Sequence, residues 1–421
     1  MKRKFLSLML GVLMVFSLFG CQSTPTSNTG GAEETPSQGE ESGVIELSVW
    51  AEEGNFEMLE GMFETFKQEY AGEAEFNITL IEEGDANVRD DLLSDVHNGP
   101  DVFHFPDDQL NSLIAGGVLS AVPNADEVKK ANLDEAVTAA CLGDTLYAYP
   151  MTADNGYFLY YDKDYFTEED VKTLDGIVAV AEAAGKKFSM EFNSGWYLYS
   201  FFGNTGLDFG INEDGVTNHC NWNTTEGEIT GIHVAEALVK LVSSSAFIPQ
   251  LDADFITGVQ DGSVIAGISG VWNAVSIKEA WGEDYGAVKL PTYTCNGKQV
   301  QMSSFTGYKM IGVNSYSDHV EWAHKLADWI TNEENQQVRF EQRNQGPSNK
   351  VVAASDQLKN VPAIQAVIEQ SQYGVLQRVG NNYWGACTTF ADTLVAKKPT
   401  GAELQELLDT LVKEITASTA G

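Results

Sequence analysis

Four segments of the chain bring acidic or aromatic side chains together just after stretches with a strand-like pattern. A carboxylate accepts charge-assisted hydrogen bonds, and an aromatic ring covers an apolar surface, so the two together suit a pocket for a small polar ligand. Two carboxyl groups in an aromatic cleft would also describe a glycoside hydrolase. The segments are residues 50–55, 105–108, 192–197 and 268–273.

Signals for catalysis or metal binding are weak. Ser269 lies in Gly-Ile-Ser-Gly-Val, which lacks the second glycine of a nucleophile elbow, and no P-loop or Rossmann glycine run occurs. The six histidines are scattered, and His319 and His324 are five residues apart, so they do not share a helical face as a zinc pair would. We therefore expect a binding protein and not an enzyme, with no catalytic residue, no metal and no cofactor.

Predicted strands and helices alternate along the chain. This rhythm predicts βαβ units and a largely parallel sheet, in which ligands bind at the carboxyl ends of the strands. In the helix predicted over 320–340, Trp322 and Trp329 are interpreted as core residues. The strand patterns cover 45–50, 74–81 and 101–105, and the helical patterns cover 56–70, 88–96, 320–340, 361–371 and 402–415.

The N-terminus has the features of an export signal followed by a lipid anchor. Three basic residues precede a mostly apolar stretch over 5–19 that is too short and wrongly flanked for a stable membrane span. The tetrad Leu-Phe-Gly-Cys, which ends at Cys21, resembles the bacterial lipobox, in which the Cys receives a diacylglycerol thioether and usually an amide-linked acyl chain. We expect a signal peptide over 1–20 and a lipidated Cys21 with a disordered polar tether over 21–44.

Composition limits the possible partners. The formal net charge of −36 makes nucleic acid a poor partner, because binding to nucleic acid comes mainly from neutralised phosphates. Neutral ligands fit such a chain better than anionic ones. The length beyond the tether is enough for two domains.

Four cysteines remain besides Cys21. They are widely spaced with no C-x-x-C, so neither a zinc ribbon nor a thioredoxin-like motif is indicated. They could pair in three ways, but a chain of this size does not need disulfides, and we expect mostly free thiols. The four are Cys141, Cys220, Cys295 and Cys387.

Seven motifs occur in order along the chain. They are Asn-Gly-Pro-Asp-Val-Phe (98–103) followed by Asp108, Gly-Gly-Val-Leu (116–119), Leu-Tyr-Ala-Tyr-Pro (146–150) followed by Asp154, Tyr-Tyr-Asp-Lys-Asp (160–164), Ser-Gly-Val-Trp (269–272), Leu-Pro-Thr (290–292) and Tyr-Trp (383–384). The ordered set resembles the bacterial extracellular solute-binding proteins of ABC importers, in the maltose and maltodextrin-binding group. The resemblance covers essentially all of residues 45–415.

The resemblance implies an α/β, two-lobed periplasmic-binding-protein-like fold, in which each lobe is a mainly parallel sheet flanked by helices and the ligand cleft lies at the hinge. Lobe 1 is expected over 45–152 and 305–360. Lobe 2 is expected over 153–304 and 361–421.

The resemblance also implies roles in binding an oligosaccharide, which offers hydroxyls in the plane of each ring and flat C–H faces above and below. Carboxylates would accept from the hydroxyls, and aromatic side chains would cover the faces. The implied aromatic contacts are Trp272 and Trp384 as stacking platforms, with Tyr383, Trp196, Tyr197 and Phe105. The implied hydroxyl acceptors are Asp108, Asp154, Glu52 and Glu53.

Each of these residues also has a structural interpretation. Packing is the alternative for the tryptophans, a helix N-terminal acid for Asp108, a hinge brace for Asp154 and a solvated acid for Glu52 and Glu53. Basic side chains that maltodextrin-binding relatives place near the sugar are missing: Gln109 follows Asp108, and Thr388 follows Trp384. The identity and length of the sugar therefore stay open.

Taken together, the resemblance implies a lipid-anchored, monomeric substrate-binding protein of an ABC sugar importer on the extracytoplasmic face of the bacterial cell membrane. It would capture an oligosaccharide, of the maltose or maltodextrin α-glucan type, and deliver it to the permease subunits. The alternatives are the same fold with another oligosaccharide, a polyamine or a phosphodiester, or a surface-anchored glycoside hydrolase. The aromatic residues favour a sugar, and the low Arg and Lys count disfavours phosphate.

Overall fold

Helices and strands alternate along residues 43–418, the part of the chain that the computed structural model describes. The predicted signal peptide, Cys21 and nearly all of the tether lie outside the described residues. The strands are β1 (Ile45–Ala51), β2 (Phe76–Glu82), β3 (Val102–Pro106), β4 (Cys141–Leu142), β5 (Thr145–Leu146), β6 (Tyr149–Asp162), β7 (Lys187–Met190), β8 (Phe209–Ile211), β9 (Asn218–Cys220), β10 (Phe247–Pro249), β11 (Val264–Gly270), β12 (Tyr285–Val288), β13 (Thr292–Cys295), β14 (Lys298–Gln301), β15 (Ser304–Val313) and β16 (Gly374–Leu376).

The helices pack between and around these strands. They are α1 (Phe56–Glu69), α2 (Val88–Ser94), α3 (Leu110–Ala115), α4 (Ala125–Ala131), α5 (Asp134–Ala139), α6 (Leu174–Ala184), α7 (Gly195–Phe202), α8 (Gly231–Ser243), α9 (Asp252–Gln260), α10 (Ala274–Trp281), α11 (Val320–Thr331), α12 (Glu333–Arg343), α13 (Lys350–Ala353), α14 (Pro362–Ser371), α15 (Asn382–Lys397) and α16 (Gly401–Ile415). Short 3-10 turns occur at Glu53–Asn55, Asp107–Gln109, Asp170–Lys172, Val271–Asn273, Gly282–Asp284 and Leu358–Asn360.

One sheet carries both halves of the fold. Its strand order is β10-β7-β11-β6-β15-β3-β1-β2, with β12 paired to β6 and β16 paired to β15. At one end β1 pairs in parallel with β2 and β3, and at the other end β7 pairs in parallel with β10 and β11. The long strands β6 and β15 lie between these parallel groups and run antiparallel to each other. The predicted two-lobed α/β fold class is confirmed.

Two strands in the middle of the sheet, β3 and β11, are completely buried, although each contains one polar residue, His104 and Ser269. Such complete burial is typical of strands in the middle of a parallel α/β sheet. The strands β1, β3, β7 and β11 each run directly into a short turn or a helix. Their carboxyl ends therefore present the four loops that the sequence singles out.

The buried side chains form three hydrophobic clusters. One joins Phe66 and Phe103 to α11, a second surrounds Trp222, and a third contains Phe158. In the second cluster the rings of Trp222 and Phe202 stack with their centroids 4.0 Å apart. Phe340, which the predicted boundaries assign to lobe 1, packs in the third cluster with Phe158 of the predicted lobe 2. The exact lobe boundaries stay a prediction.

The single helix predicted over 320–340 is wrong, because the structure contains two helices, α11 and α12, with Asn332 between them. The Asn332 side chain accepts a hydrogen bond from the backbone N–H of Asn335 at 2.8 Å and so caps α12. Asn is a preferred N-cap residue, and this signal outweighs the continuous apolar spacing. Trp322 and Trp329 pack against the first cluster, which confirms their interpretation as core residues.

Cys141, Cys220, Cys295 and Cys387 are free thiols, as the sequence predicts. Burial raises the pKa of Cys220 to about 12 and the pKa of Cys387 further, so both stay protonated at neutral pH. Between residues 43 and 418, no helix is long and apolar enough to span a bilayer. The same residues contain no group of three or more His, Cys, Asp or Glu arranged to hold a metal ion.

Candidate ligand-binding site

A cleft of about 660 Å³ lies at the carboxyl ends of β1, β3, β7 and β11. Its volume falls within the range of about 300–1,000 Å³ that is typical of small-molecule sites. Of the ten side chains predicted to bind ligand, six line this cleft. They are Glu52, Asp108, Trp196, Tyr197, Trp272 and Trp384.

The other four predicted site residues do not line the cleft in this structure, and a role for them in ligand binding stays a prediction. Phe105 is fully buried in β3, and Tyr383 is fully buried with its hydroxyl donating to the carbonyl of Gly195 at 2.7 Å. Asp154 is buried on β6 and accepts a hydrogen bond from the backbone N–H of Gly346, which fits its interpretation as a brace. Glu53 is exposed in a 3-10 turn.

Sequence reasoning missed several residues that the fold brings to the cleft. Glu191 directly follows β7, and Asp252 is the first residue of α9, shortly after β10 ends. Both obey the same strand-end rule that identified the other loops, so that rule could have found them. Lys309 lies within β15 and Asp85 in the loop before α2, and no pattern in the sequence marks either of them.

Trp272 is held in one orientation from two sides. Its indole Nε1–H donates to Asp252 Oδ2 at 2.7 Å, and Asp252 Oδ1 accepts from the Ser269 hydroxyl at 3.0 Å. The six-membered ring lies against Gly270, where an added Cβ would be only 2.1 Å from the ring atom Cζ3. A glycine is therefore required here, and the ring plane is fixed before any ligand arrives, which lowers the entropic cost of stacking.

Trp196 and Trp384 rest on a common support. The ring of Trp196 stacks on Phe305 with 5.6 Å between centroids, and the ring of Trp384 lies 6.1 Å from the same Phe305. Phe305 is fully buried, so it holds both indoles from the core side while each remains partly exposed. The two tryptophans and Trp272 provide three aromatic surfaces in one cleft.

Asp108 already has one hydrogen-bond partner, Gln377, which also lines the cleft. Gln377 Nε2 donates to its Oδ1 at 2.8 Å, and nearby Arg89 Nη1 donates to Asn381 Oδ1 at 2.9 Å. Gln377 and Asn381 belong to the segment that leads into α15, which carries Trp384 in its first turn. Burial, followed by the charge of Asp107, raises the pKa of Asp108 well above its usual range.

A lysine lies between acidic and aromatic groups at the cleft. The Lys309 ammonium contacts the Asp85 carboxylate, and it lies 3.7 Å from Glu52 Oε2 and 5.4 Å from the centroid of the Trp272 ring. Burial opposes the charge on Asp85, but Lys309 and His104 outweigh it and hold the pKa of Asp85 well below its usual range. This group is therefore ionised at neutral pH.

Two further carboxyl groups face each other here. Burial, and then the charge of Asp252, raise the pKa of Glu191 to about 7. Burial also raises the pKa of Asp252, although hydrogen bonds from Trp272 and Ser269 counteract it. At neutral pH Glu191 therefore exists in both protonation states, and its carboxyl group can donate as well as accept a hydrogen bond.

Buried acids with raised pKa values give the stability of the fold a predictable pH dependence. Burial raises the pKa of Asp154 to about 6 from a usual 3.8, so the native state binds this proton more tightly than the unfolded state does. Stability should therefore rise as the pH falls through 6. For Asp154 alone we expect a gain of about 1 kcal/mol between pH 7 and pH 5.

Thermal melts of wild type and Asp154→Asn between pH 5 and pH 7.5 measure this effect. The variant should gain less stability on acidification than the wild type, because it lacks the titrating group. Asp126→Asn, on the exposed side of α4, is the control and should behave like the wild type. An identical pH dependence in all three proteins would contradict the assignment to Asp154.

The sheet with its central antiparallel strands and the aromatic, carboxylate-lined cleft at the strand ends define a two-lobed solute-binding protein. The chain belongs to the family of bacterial extracellular solute-binding proteins, whose family model matches residues 61–366. This match spans well over half of the chain and confirms the class indicated by the ordered motifs.

Three similar proteins illustrate the family. A galactooligosaccharide-binding protein from Bacillus subtilis (strain 168) is 28% identical over 85% of this chain and 86% of its own length. A maltooligosaccharide ABC transporter solute-binding lipoprotein from Streptococcus pneumoniae is 29% identical over 80% of each chain. A solved structure of a complex with acarbose is 28% identical, covers 89% of this chain and 99% of its own, and superposes with a TM-score of 0.78.

Proposed function

We propose that this protein is the lipid-anchored substrate-binding protein of an ABC sugar importer on the outer side of the bacterial cell membrane. It captures an oligosaccharide, most simply a maltodextrin-type α-glucan, and delivers it to a permease. The observation that carries the proposal is the fixed indole of Trp272, hydrogen-bonded to Asp252 in a cleft that also contains Trp196 and Trp384. The names of the relatives support an oligosaccharide as the ligand.

Binding would use two kinds of contact. The flat C–H faces of the sugar rings would stack on Trp272 and Trp384, because both the indole ring and the sugar face are apolar and are removed from water together. The ring hydroxyls would donate to carboxyl oxygens of Asp108 and Glu52, both of which line the cleft. Tyr197 would act through Asp252, because its hydroxyl lies 3.4 Å from that carboxylate.

Delivery would depend on closure of the two lobes around the sugar. The strands β6 and β15 run between the parallel groups of the sheet and are the continuous connections about which a hinge could bend. We propose the lobe boundaries given above, with residues near 152 and 305 at the crossings. A ligand that contacts both lobes stabilises the closed state, because that state alone satisfies both sets of contacts.

A sugar screen tests the proposal. The soluble chain from residue 44 onward would be melted with maltose, maltotriose, longer α-glucans, β-1,4-galacto-oligosaccharides, raffinose-type sugars and xylo-oligosaccharides. A ligand that binds only the native state raises its stability by RT ln(1 + [L]/Kd), so the correct class raises the melting temperature in a concentration-dependent way. Stabilisation by a polyamine or a phosphodiester, with none by any sugar, would overturn the proposal.

The glycoside hydrolase alternative has a separate readout. After incubation of the protein with maltotriose and with the best sugar of the screen, a hydrolase would generate new reducing ends. We expect no increase over the sugar alone.

A further inference from the structure

Lys309 interrupts the regular pairing between β15 and β6. Gly307 pairs with Asn155 and Met310 with Pro150, but the register shifts on both sides of Lys309. Irregularities of this kind redirect a side chain and are common beside binding sites. Here the side chain of Lys309 points into the cleft, where only 11% of it is exposed.

The surroundings of the ammonium group leave one position open. Asp85 accepts one of its contacts, and the indole of Trp272 covers another side. Glu52 Oε2 is 3.7 Å away, which is too long for a hydrogen bond. The ammonium donor and the carboxylate acceptor therefore form a loose ion pair side by side at the edge of an aromatic ring, and one oxygen atom on the cleft side could contact both.

The fold gives one reason for a lysine at this position, because the ammonium offsets the charge of Asp85 and lies near the carboxyl groups of Glu52 and Asp154. Removing an ammonium from water costs free energy that a buried ion pair only partly returns. The Asp85 carboxylate could instead be satisfied by His104, whose ring Nδ1 contacts the same group. A ligand hydroxyl would use an ammonium proton that Asp85 does not accept, which the ion pair alone leaves without a role.

We propose that Lys309 is a specificity-determining ligand contact, whose ammonium donates to a hydroxyl of the sugar ring lying against Trp272 while Glu52 accepts from the same hydroxyl. A hydroxyl is both a donor and an acceptor, so one hydroxyl beside the pair can accept from the ammonium and donate to the carboxylate. The inference rests on the proposed function and extends it. The site selects a ring that keeps this hydroxyl free, since a ring without it forms neither of the two hydrogen bonds and still displaces water from both groups.

The first test removes the ammonium without leaving a buried charge behind. In the double variant Lys309→Met with Asp85→Asn, the lysine charge and its carboxylate partner are replaced together. Calorimetry with maltotriose, or with a β-1,4-galactotriose if that is the sugar bound by the wild type, should show at least about tenfold weaker binding. The melting temperature without sugar reports whether the fold is retained.

The matched control is Lys325→Met. Lys325 also lies over a tryptophan, with 4.0 Å to the ring centroid of Trp322, and pairs with Glu73 at 3.0 Å, but it is on α11 away from the cleft. Lys325→Met also removes an ammonium with a carboxylate and an aromatic partner, but far from the cleft. The affinity for the sugar should therefore stay within about twofold of the wild type. A loss equal to that of the Lys309 variant would point to a general effect and overturn the inference.

The second test asks whether Lys309 and Glu52 hold the same hydroxyl. The Glu52 side chain is 36% exposed, so Glu52→Gln should fold even if the Lys309 variant is unstable. Glu52→Gln should bind the sugar at least about fivefold more weakly than the wild type. If both groups hold one hydroxyl, adding Glu52→Gln to the Lys309 variant should weaken binding much less than this, because the shared contact is already lost. If the binding free energies lost in the two variants simply add in the combined variant, the proposal of a shared hydroxyl is overturned.

The outcomes separate the two proposals. If the wild type binds none of the sugars in the screen, the proposed function itself fails. If the wild type binds a sugar and the Lys309 and Glu52 variants bind it equally well, the function stands and the role of Lys309 is overturned.

Discussion

Replacing Trp384 or Trp272 by Ala is expected to weaken sugar binding by about 1–3 kcal/mol each, which corresponds to roughly 5- to 150-fold in Kd. Both indoles line the cleft and are partly exposed, and each is held in place by neighbouring groups that would remain. The lost stacking area should therefore appear in the binding free energy much more than in the stability of the fold. Calorimetry with the best sugar of the screen and thermal melts without sugar measure the two effects separately.

Trp322→Ala provides the matched control. Trp322 has the same intermediate exposure but packs on Tyr70 and Phe76, outside the cleft. This variant should lose stability while its affinity for the sugar stays unchanged. If Trp384→Ala or Trp272→Ala instead lowers the melting temperature as Trp322→Ala does and leaves binding intact, that indole is a core residue and not a binding surface.

Replacing Cys21 by Ser is expected to release the protein from the membrane into the soluble fraction. The anchor proposed here is the lipid on Cys21, and two or more acyl chains hold a protein stably where a single chain does not. Serine cannot form the thioether. Cell fractionation followed by detection of the protein in washed membranes and in the medium or periplasm measures the change.

The control is Cys220→Ser, which changes another cysteine of the same chain and should leave the protein on the membrane. Labelling with a radioactive fatty acid should mark the wild type and Cys220→Ser but not Cys21→Ser. Full retention of Cys21→Ser on washed membranes would show that something other than this lipid holds the protein there.

The strands and the cleft loops can be predicted from the sequence, because each depends on a pattern of neighbouring residues. Residues 102–106 and 264–270 are short, mostly apolar runs, and both form buried strands. Trp272 and Asp108 directly follow such strands, and the parallel sheet brings strand ends to one edge. Their arrival in one cleft therefore follows from the fold class.

The placements that differ from expectation depend on features that a local pattern cannot decide. Because β3 is buried on both faces, alternation along the strand does not tell which side Phe105 takes. Tyr383 and Trp384 are neighbours, but the structure places them on helix α15, where consecutive side chains point about 100° apart and only one reaches the cleft. Lys309 reads as an ordinary strand residue, because the irregularity that turns it inward depends on its pairing with β6.

The distribution of the tryptophans has a spectroscopic consequence. Of the eight in the chain, Trp196, Trp272 and Trp384 line the cleft, whereas Trp222 is fully buried in the core and Trp322 and Trp329 pack elsewhere. A ligand that covers the three cleft indoles removes water from them and leaves the emission of the others nearly constant. The intrinsic fluorescence of the unlabelled protein is therefore a built-in optical sensor of cleft occupancy, suited to following how fast a ligand enters and leaves.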